Sequence, residues 1–535
     1  MPRLTCGLGG PTILTNLLAL VQRCGRPSAR WSPCAAALVL LAVGAPSAAQ
    51  EVVLSVEITD SGARVVDAVL LDGEVLPASR SSTGAVRVLG AEDAVLGRAG
   101  WSEGARLRSV ITPDGGEAAI MRDAHLLIRA SWPAGSAVLE LDGQRVTPRP
   151  WQAWPPPKAV QRSGPPDRRL DLLLLAEGFT EGDEGAFDVA VARVVSELGT
   201  MEPWRSYRGL LNIWSLFVPS ERDGVIEDLE LGVASAEGSD APPASDEPAS
   251  PFDCAFGCGG IDWLICCDEE AIVRTVVQRA PFADGVLLLV NSERYGGSGG
   301  FTYATAATGP DLERLATHEL GHTLIDLWDE YDYGIDGFDD EAPNCGHPDD
   351  PLPWEHWLDE PGVGVYPSCS FSNWVRPTAR DCIMRTLSVG HYCPVCREHA
   401  VRRLLEAVGG LRGGVDPLAG EPVRVSAGEV RTFAVATNLD PSLLRYVWTL
   451  DGEEVGRDPT FALDGCAGVE GELAMQVSLA DGWLRRDPSE LGVLRRRWPV
   501  QTDRCAGCGC GAVAPPPWPG WLALPGLIAL RRRRA

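Results

Sequence analysis

The stretch Thr317-His318-Glu319-Leu320-Gly321-His322-Thr323-Leu324 decides how the rest of the chain is read. On a helix, residues four apart lie one turn apart on one face, so His318 and His322 present two imidazoles side by side. Neutral imidazole nitrogens suit Zn²⁺. Glu319, next to the first histidine, reaches a water beside the metal rather than the metal itself. That is the place of a general base in metal-assisted hydrolysis. Local signals predict the helix: Thr308-Gly309-Pro310-Asp311 reads as a capping signal with Pro in the first turn. Leu312, Leu315, Ala316, Leu320 and Leu324 then recur at helical spacing. The plainer alternative is an amphipathic helix with two satisfied histidines.

Zinc in a hydrolytic site needs a third protein ligand and a position left open. Downstream stand Asp326, Asp329, Glu330 and Asp332. On a straight helix Asp329 would lie ~10 Å along the axis from His322, so the chain must turn after about Asp326. Asp329 is the first choice for the third ligand and Glu330 the second. Carboxylates left over suit a Ca²⁺ site or a solvated helix end. Tyr331 and Tyr392 are the candidates for steadying a developing oxyanion.

Around this centre the chain reads as a multidomain α+β protein. Leu170–Ala176, Leu211–Val218 and Gly285–Asn291 are buried-strand runs. Thr180 caps a helix whose face is Phe187, Ala190, Val191, Val194 and Leu198. Gly296-Gly-Ser-Gly-Gly300 reads as a flexible loop. These place a central α/β unit at 165–410, with an acidic Ser/Ala/Pro-rich surface insertion at 225–251. Before it, alternating runs such as Val52–Ile58 predict a β-sandwich at 50–152, joined by a Pro-rich linker. After it, residues 418–501 read as an immunoglobulin-like β-sandwich around Trp448.

The chain has 535 residues, too many for one core, and a net charge of −26, which argues against nucleic acid as a partner. Its 16 cysteines suit an exported protein with disulfides. Cys254, Cys258, Cys266 and Cys267 read as two loop disulfides rather than a metal knot. Cys382, Cys393 and Cys396 stay open between disulfides, with Cys345, Cys369 or each other, and a small structural zinc site shared with His391 and His399. Residues 1–49 show the basic, apolar and small-residue regions of a signal peptide. Residues 503–535 carry Cys508 and Cys510, a Pro-interrupted apolar run and a terminal Arg cluster, as in a processed sorting signal. Membrane contact is expected only through that tail, before processing.

Two resemblances follow. The tail resembles the MYXO-CTERM sorting tag, which implies attachment near Cys508 or Cys510 at an outer surface. Residues 168–405 resemble the IgA-peptidase family of secreted zinc metallopeptidases. The matching pieces are Leu172–Thr180, Glu202–Tyr207, Asn212-Ile-Trp with Val218-Pro-Ser220, Val290–Gly297, His318–His322, Leu327–Tyr331, and Cys382-Ile-Met with Cys393-Pro-Val-Cys396. The resemblance implies a zincin-like fold and zinc-dependent endopeptidase chemistry on extracellular proteins, with Met384 in a turn beneath the metal. One catalytic zinc per chain is expected, held by His318, His322 and Asp329, with Glu319 as the base. Asp326 stands where the family pattern has glycine. The rival reading is a surface adhesion or spacer protein with an idle zincin domain.

Overall fold

The computed structural model describes residues 50–505 apart from 60–61, 73–85, 100–106, 112–116, 122–123, 152–155, 227–249, 301, 335 and 337–341. The signal segment, most of the acidic insertion and the tail with Cys508 and Cys510 lie outside the described residues. Among these residues the chain is a multi-sheet α+β protein. No helix of theirs is long and apolar enough to cross a membrane.

A six-stranded sheet carries the centre. Its strands are β1 (Lys158–Gln161), β2 (Leu170–Glu177), β3 (Leu211–Leu216), β4 (Gly285–Val290), β5 (Gly297–Gly299) and β6 (Ala304–Ala307), in the order β1-β3-β2-β4-β6-β5. The four inner strands are parallel and the two edges antiparallel. Parallel strands are covered on both faces, and β2, β3 and β4 are buried along their whole length. Strand alternation sends Leu172, Leu174, Leu287 and Leu289 to one face. There they meet α1 (Glu184–Leu198), α3 (Leu312–Ile325) and α4 (Pro394–Ala407). Leu173, Leu175, Val286 and Leu288 point the other way, onto α2 (Glu269–Arg279).

The structure differs from the sequence expectations in three places here. The glycine run at 296–300 is not a loop: Gly297–Gly299 is the edge strand, and it lies against α3. The missing side chains are what allow that approach, since a Cβ on Gly299 would sit 2.7 Å from His322 Cβ. The start of α3 is not secured by a side-chain cap, for Asp311 makes no such bond. Arg193 of α1 instead ties down the segment that leads into it, donating to the carbonyls of Thr308 and Gly309 and pairing with Glu313. The Pro-rich stretch is not wholly a linker, because Lys158–Gln161 already pairs with β3, upstream of residue 165.

Two four-stranded sheets precede the centre and share one core that includes Val52, Leu54, Val88, Ile128 and Leu139. Alternation along Gln50–Thr59 leaves Val53 on the opposite face. With Val69 it packs on Val273 and Val277 of α2. Arg129 adds a polar tie from this sheet, donating to the carbonyls of Pro281 and Ala283. On the other side, a three-stranded and a five-stranded sheet follow α4. Phe433 of one packs edge-on against the stacked Trp448 and Trp498 of the other, and their core runs into that around α3. The Cys466–Cys505 disulfide closes this C-terminal part.

Candidate metal centre

Helix α3 ends at Ile325 because Asp326 adopts a left-handed conformation (φ 59°). The Leu327 N–H then bonds back to the Gly321 carbonyl, a glycine-type helix stop. Asp is among the few residues with side chains that tolerate this conformation. That explains how it stands in a glycine position without losing the turn. The reversal brings Asp329 back over the helix.

Asp329 Oδ1 lies 3.0 Å from His318 Nε2 and 3.4 Å from His322 Nε2. Each ring is held from behind by a backbone carbonyl. His318 Nδ1 bonds Ile383 O at 3.0 Å and His322 Nδ1 bonds Leu327 O at 2.7 Å. A carbonyl only accepts, so both Nδ1 atoms carry the proton. In the neutral rings both Nε2 lone pairs face the Asp329 carboxylate, so three ligand atoms converge on one point.

This donor set fits zinc. Two imidazoles and one carboxylate are a known hydrolytic ligand combination, and ring nitrogens oriented by carbonyls are the usual support for it. A tetrahedron with ~2 Å bonds has edges of about 3.3 Å, close to the two distances found. Glu319 sits within 4.8 Å of both histidines, buried beside them. With protons as the only cations in the cluster, burial opposes charge on His322, but Asp329 and then Glu319 carry it up to about 9. Burial likewise opposes the Asp329 carboxylate, yet His322 and His318 hold it well below the usual range. Burial raises Glu319, against the two imidazoles.

The other expected residues separate clearly. Glu330, in the bend that follows, is grouped with the cysteines rather than with the histidines. It is fully buried beside Cys382, Cys393 and Cys396, and burial, then Cys393, pushes its carboxyl up to about 8. Met384 lies fully buried beneath α3, where a Cβ on Gly321 would meet its Sδ at 2.7 Å. Tyr392 is also beneath the helix, its hydroxyl spent on the Thr317 carbonyl at 2.7 Å. Tyr331 stays on the Asp329 side; burial and then Asp329 raise its phenol. Two tyrosines escaped the sequence reading. Tyr333 donates to Asp329 Oδ2 at 2.7 Å, and half-exposed Tyr295 feels the charges of Glu319 and Asp329. His391 is half-exposed and pairs with Asp381, while His399 is half-buried near Arg403; neither joins the cysteines.

Cys254–Cys267 and Cys258–Cys266 are disulfides, as is Cys345–Cys369. Cys382, Cys393 and Cys396 are free thiols, so they pair neither with Cys345 and Cys369 nor with each other. Among the described residues, the groups of three or more metal-binding side chains are the His318–Glu319–His322 set and the Glu330–cysteine set. Neither is the all-oxygen arrangement that calcium takes.

Residues 159–355 match the family model described as IgA Peptidase M64. The match runs from β1 through α3 and Asp329 and ends before Met384 and the three thiols. It supports a peptidase, a hydrolase acting on protein or peptide substrates. No curated protein matches. A solved structure described as a quinonprotein alcohol dehydrogenase-like protein from Bacteroides thetaiotaomicron is 16% identical. It covers 17% of this chain and 20% of that one, with a TM-score of 0.14. That likeness carries no argument.

Proposed function

We propose that this chain is a zinc-dependent endopeptidase that is exported and cleaves extracellular proteins. The observation that carries the proposal is the convergence of two carbonyl-oriented imidazole Nε2 atoms on one buried carboxylate oxygen. His318, His322 and Asp329 would hold the ion. Bound zinc supplies a Lewis acid for the scissile carbonyl and for water.

The residues of the chain do the rest. The Glu319 carboxylate takes the proton of the attacking water and passes it to the leaving amine. Its raised affinity for protons suits both steps. Tyr331, beside Asp329, would donate to the carbonyl oxygen as it gains charge. Edge strand β5 lies against α3, and half-exposed Trp263 and Tyr295 stand near it. These aromatic side chains would contact a peptide laid across the mouth of the site. Four disulfides among the described residues support an oxidising compartment. Processing at the N-terminus and attachment through the C-terminal tail belong to the same proposal.

The test is metal removal. Chelation should abolish cleavage of a mixed peptide library, and zinc should restore it. Cleavage that survives complete removal of zinc would overturn the proposal, and no cleavage in any metal state would favour an idle adhesion module.

A further inference from the structure

We propose that Cys382, Cys393, Cys396 and Glu330 form a second, non-catalytic metal site for a thiophilic tetrahedral cation, zinc before others. All four residues are fully buried, and their ligand atoms lie within 4.8 Å of one another. Cys382 Sγ is 3.7 Å from Cys396 Sγ, and Glu330 Oε1 is 3.3 Å from Cys396 Sγ and 3.9 Å from Cys393 Sγ. Around a zinc ion with ~2.3 Å bonds to sulfur and ~2.0 Å to oxygen, the S···S edges are about 3.8 Å and the S···O edges about 3.5 Å. The three distances are close to those edges.

Three further observations point to a cation. The other eight described cysteines pair in four disulfides, while these three remain thiols. An odd number cannot pair off internally without leaving one over. Glu330 Oε2 is buried with no hydrogen-bond partner, and Oε1 has only Asn344 and the thiols around it. Arg385, the nearby cation, spends its guanidinium on the Glu330 backbone carbonyl instead. A buried carboxylate without a counter-charge is costly, and a metal removes that cost.

The backbone also favours thiolates. Cys393 is the N-cap of the 14-residue helix α4 and accepts the Cys396 N–H, while Cys382 accepts the Cys393 N–H. Donated N–H groups and the positive end of a helix stabilise ligand sulfurs. Cys393-Pro-Val-Cys396 then supplies two ligands from one helical turn, Cys382 the third and Glu330 the fourth. The four span the segment after α3, the turn at 382–384 and the start of α4. Glu330 follows Asp329, and Cys382 precedes Ile383, whose carbonyl orients His318.

The test uses the full chain and is independent of catalysis. Zinc content should be two per chain in the wild type and one in the His318→Ala, His322→Ala double variant. Cys393→Ser should lose the other equivalent. Because that variant can also fail to fold, cobalt substitution of the wild type provides a second readout. Thiolate-to-cobalt charge-transfer bands should appear and persist in the double histidine variant. Absence of those bands, a zinc-free double histidine variant, or a disulfide joining any two of the three cysteines would each overturn the second site. A wild type that holds a single zinc, kept in the double histidine variant and lost in Cys393→Ser, would overturn the proposed hydrolase and leave the cysteine site standing.

Discussion

Gly299→Ala puts the packing of β5 on α3 under strain at a known distance. The new Cβ would lie 2.7 Å from His322 Cβ, 2.8 Å from His322 Cδ2 and 2.8 Å from the Glu319 carbonyl oxygen. Two of those atoms are a backbone oxygen and a Cβ, which move only with the helix. Ordinary contact returns if the strand backs away by about 0.7 Å. Overpacking of this kind costs about 1–3 kcal/mol, a Tm drop of a few degrees in a domain this large. The displacement falls on the residues flanking His322 and Glu319. A misplacement near 1 Å at a reacting centre costs on the order of 100-fold in rate, so kcat/KM should fall by more than stability. Thermal melts and peptide cleavage on the same preparations measure both. Gly414→Ala, where an added methyl meets nothing within 4 Å, is the control. Gly321→Ala should be milder, because its nearest atoms belong to the flexible Met384 thioether. Full activity and an unchanged Tm for Gly299→Ala would refute the claim that β5 needs glycine to reach the helix.

Three other outcomes follow from the same geometry. Tyr333→Phe removes the donor on Asp329 Oδ2 and should weaken zinc affinity by about 10- to 100-fold; a competitive chelator titration unchanged from wild type would contradict this. Arg129→Met strands the half-buried Glu51 and Asp284 carboxylates. It should cost ~1–3 kcal/mol after allowance for solvent screening, read as a lower urea midpoint, and a change below about 0.5 kcal/mol would count against the tie. Glu177 is buried, and desolvation lifts its carboxyl to about 7 despite bonds from Ser250, Phe252 and Cys254. Its folded-state pKa lies above the unfolded value of 4.5, so its stabilising share is complete below pH 4.5 and lost as pH rises through about 7. The loss should approach ~3 kcal/mol, and Glu177→Gln should flatten it in urea denaturation between pH 5 and 8. Equal slopes in the two proteins would refute the burial argument.

The site was legible where chemistry and periodicity coincide. His318, Glu319 and His322 declare themselves by spacing, and the stripe from Leu312 to Leu324 is buried as the helical period requires. The α1 face of Phe187, Ala190, Val191, Val194 and Leu198 is likewise the buried one. The choice between Asp329 and Glu330 depended on the direction of two adjacent side chains after a helix stop, which spacing does not encode. The carbonyls of Ile383 and Leu327 that orient the histidines are backbone groups and leave no mark in the sequence. Gly297–Gly299 misled for a physical reason: glycine is disfavoured in strands, and here it is required by a close approach between elements distant in character. The same limit applied to the cysteine cluster, where the neighbouring histidines drew attention and the fourth side chain came from Glu330.

The most direct measurement is cleavage of a mixed peptide library by the wild type and by Glu319→Ala, with zinc content determined on both. General acid–base groups contribute about 10²- to 10⁴-fold. The account predicts internal cuts by the wild type, a loss of that size in the variant, and equal zinc in the two proteins. A variant that cleaves at the wild-type rate with its zinc in place would contradict the assignment of Glu319 and, with it, the proposed chemistry of the site.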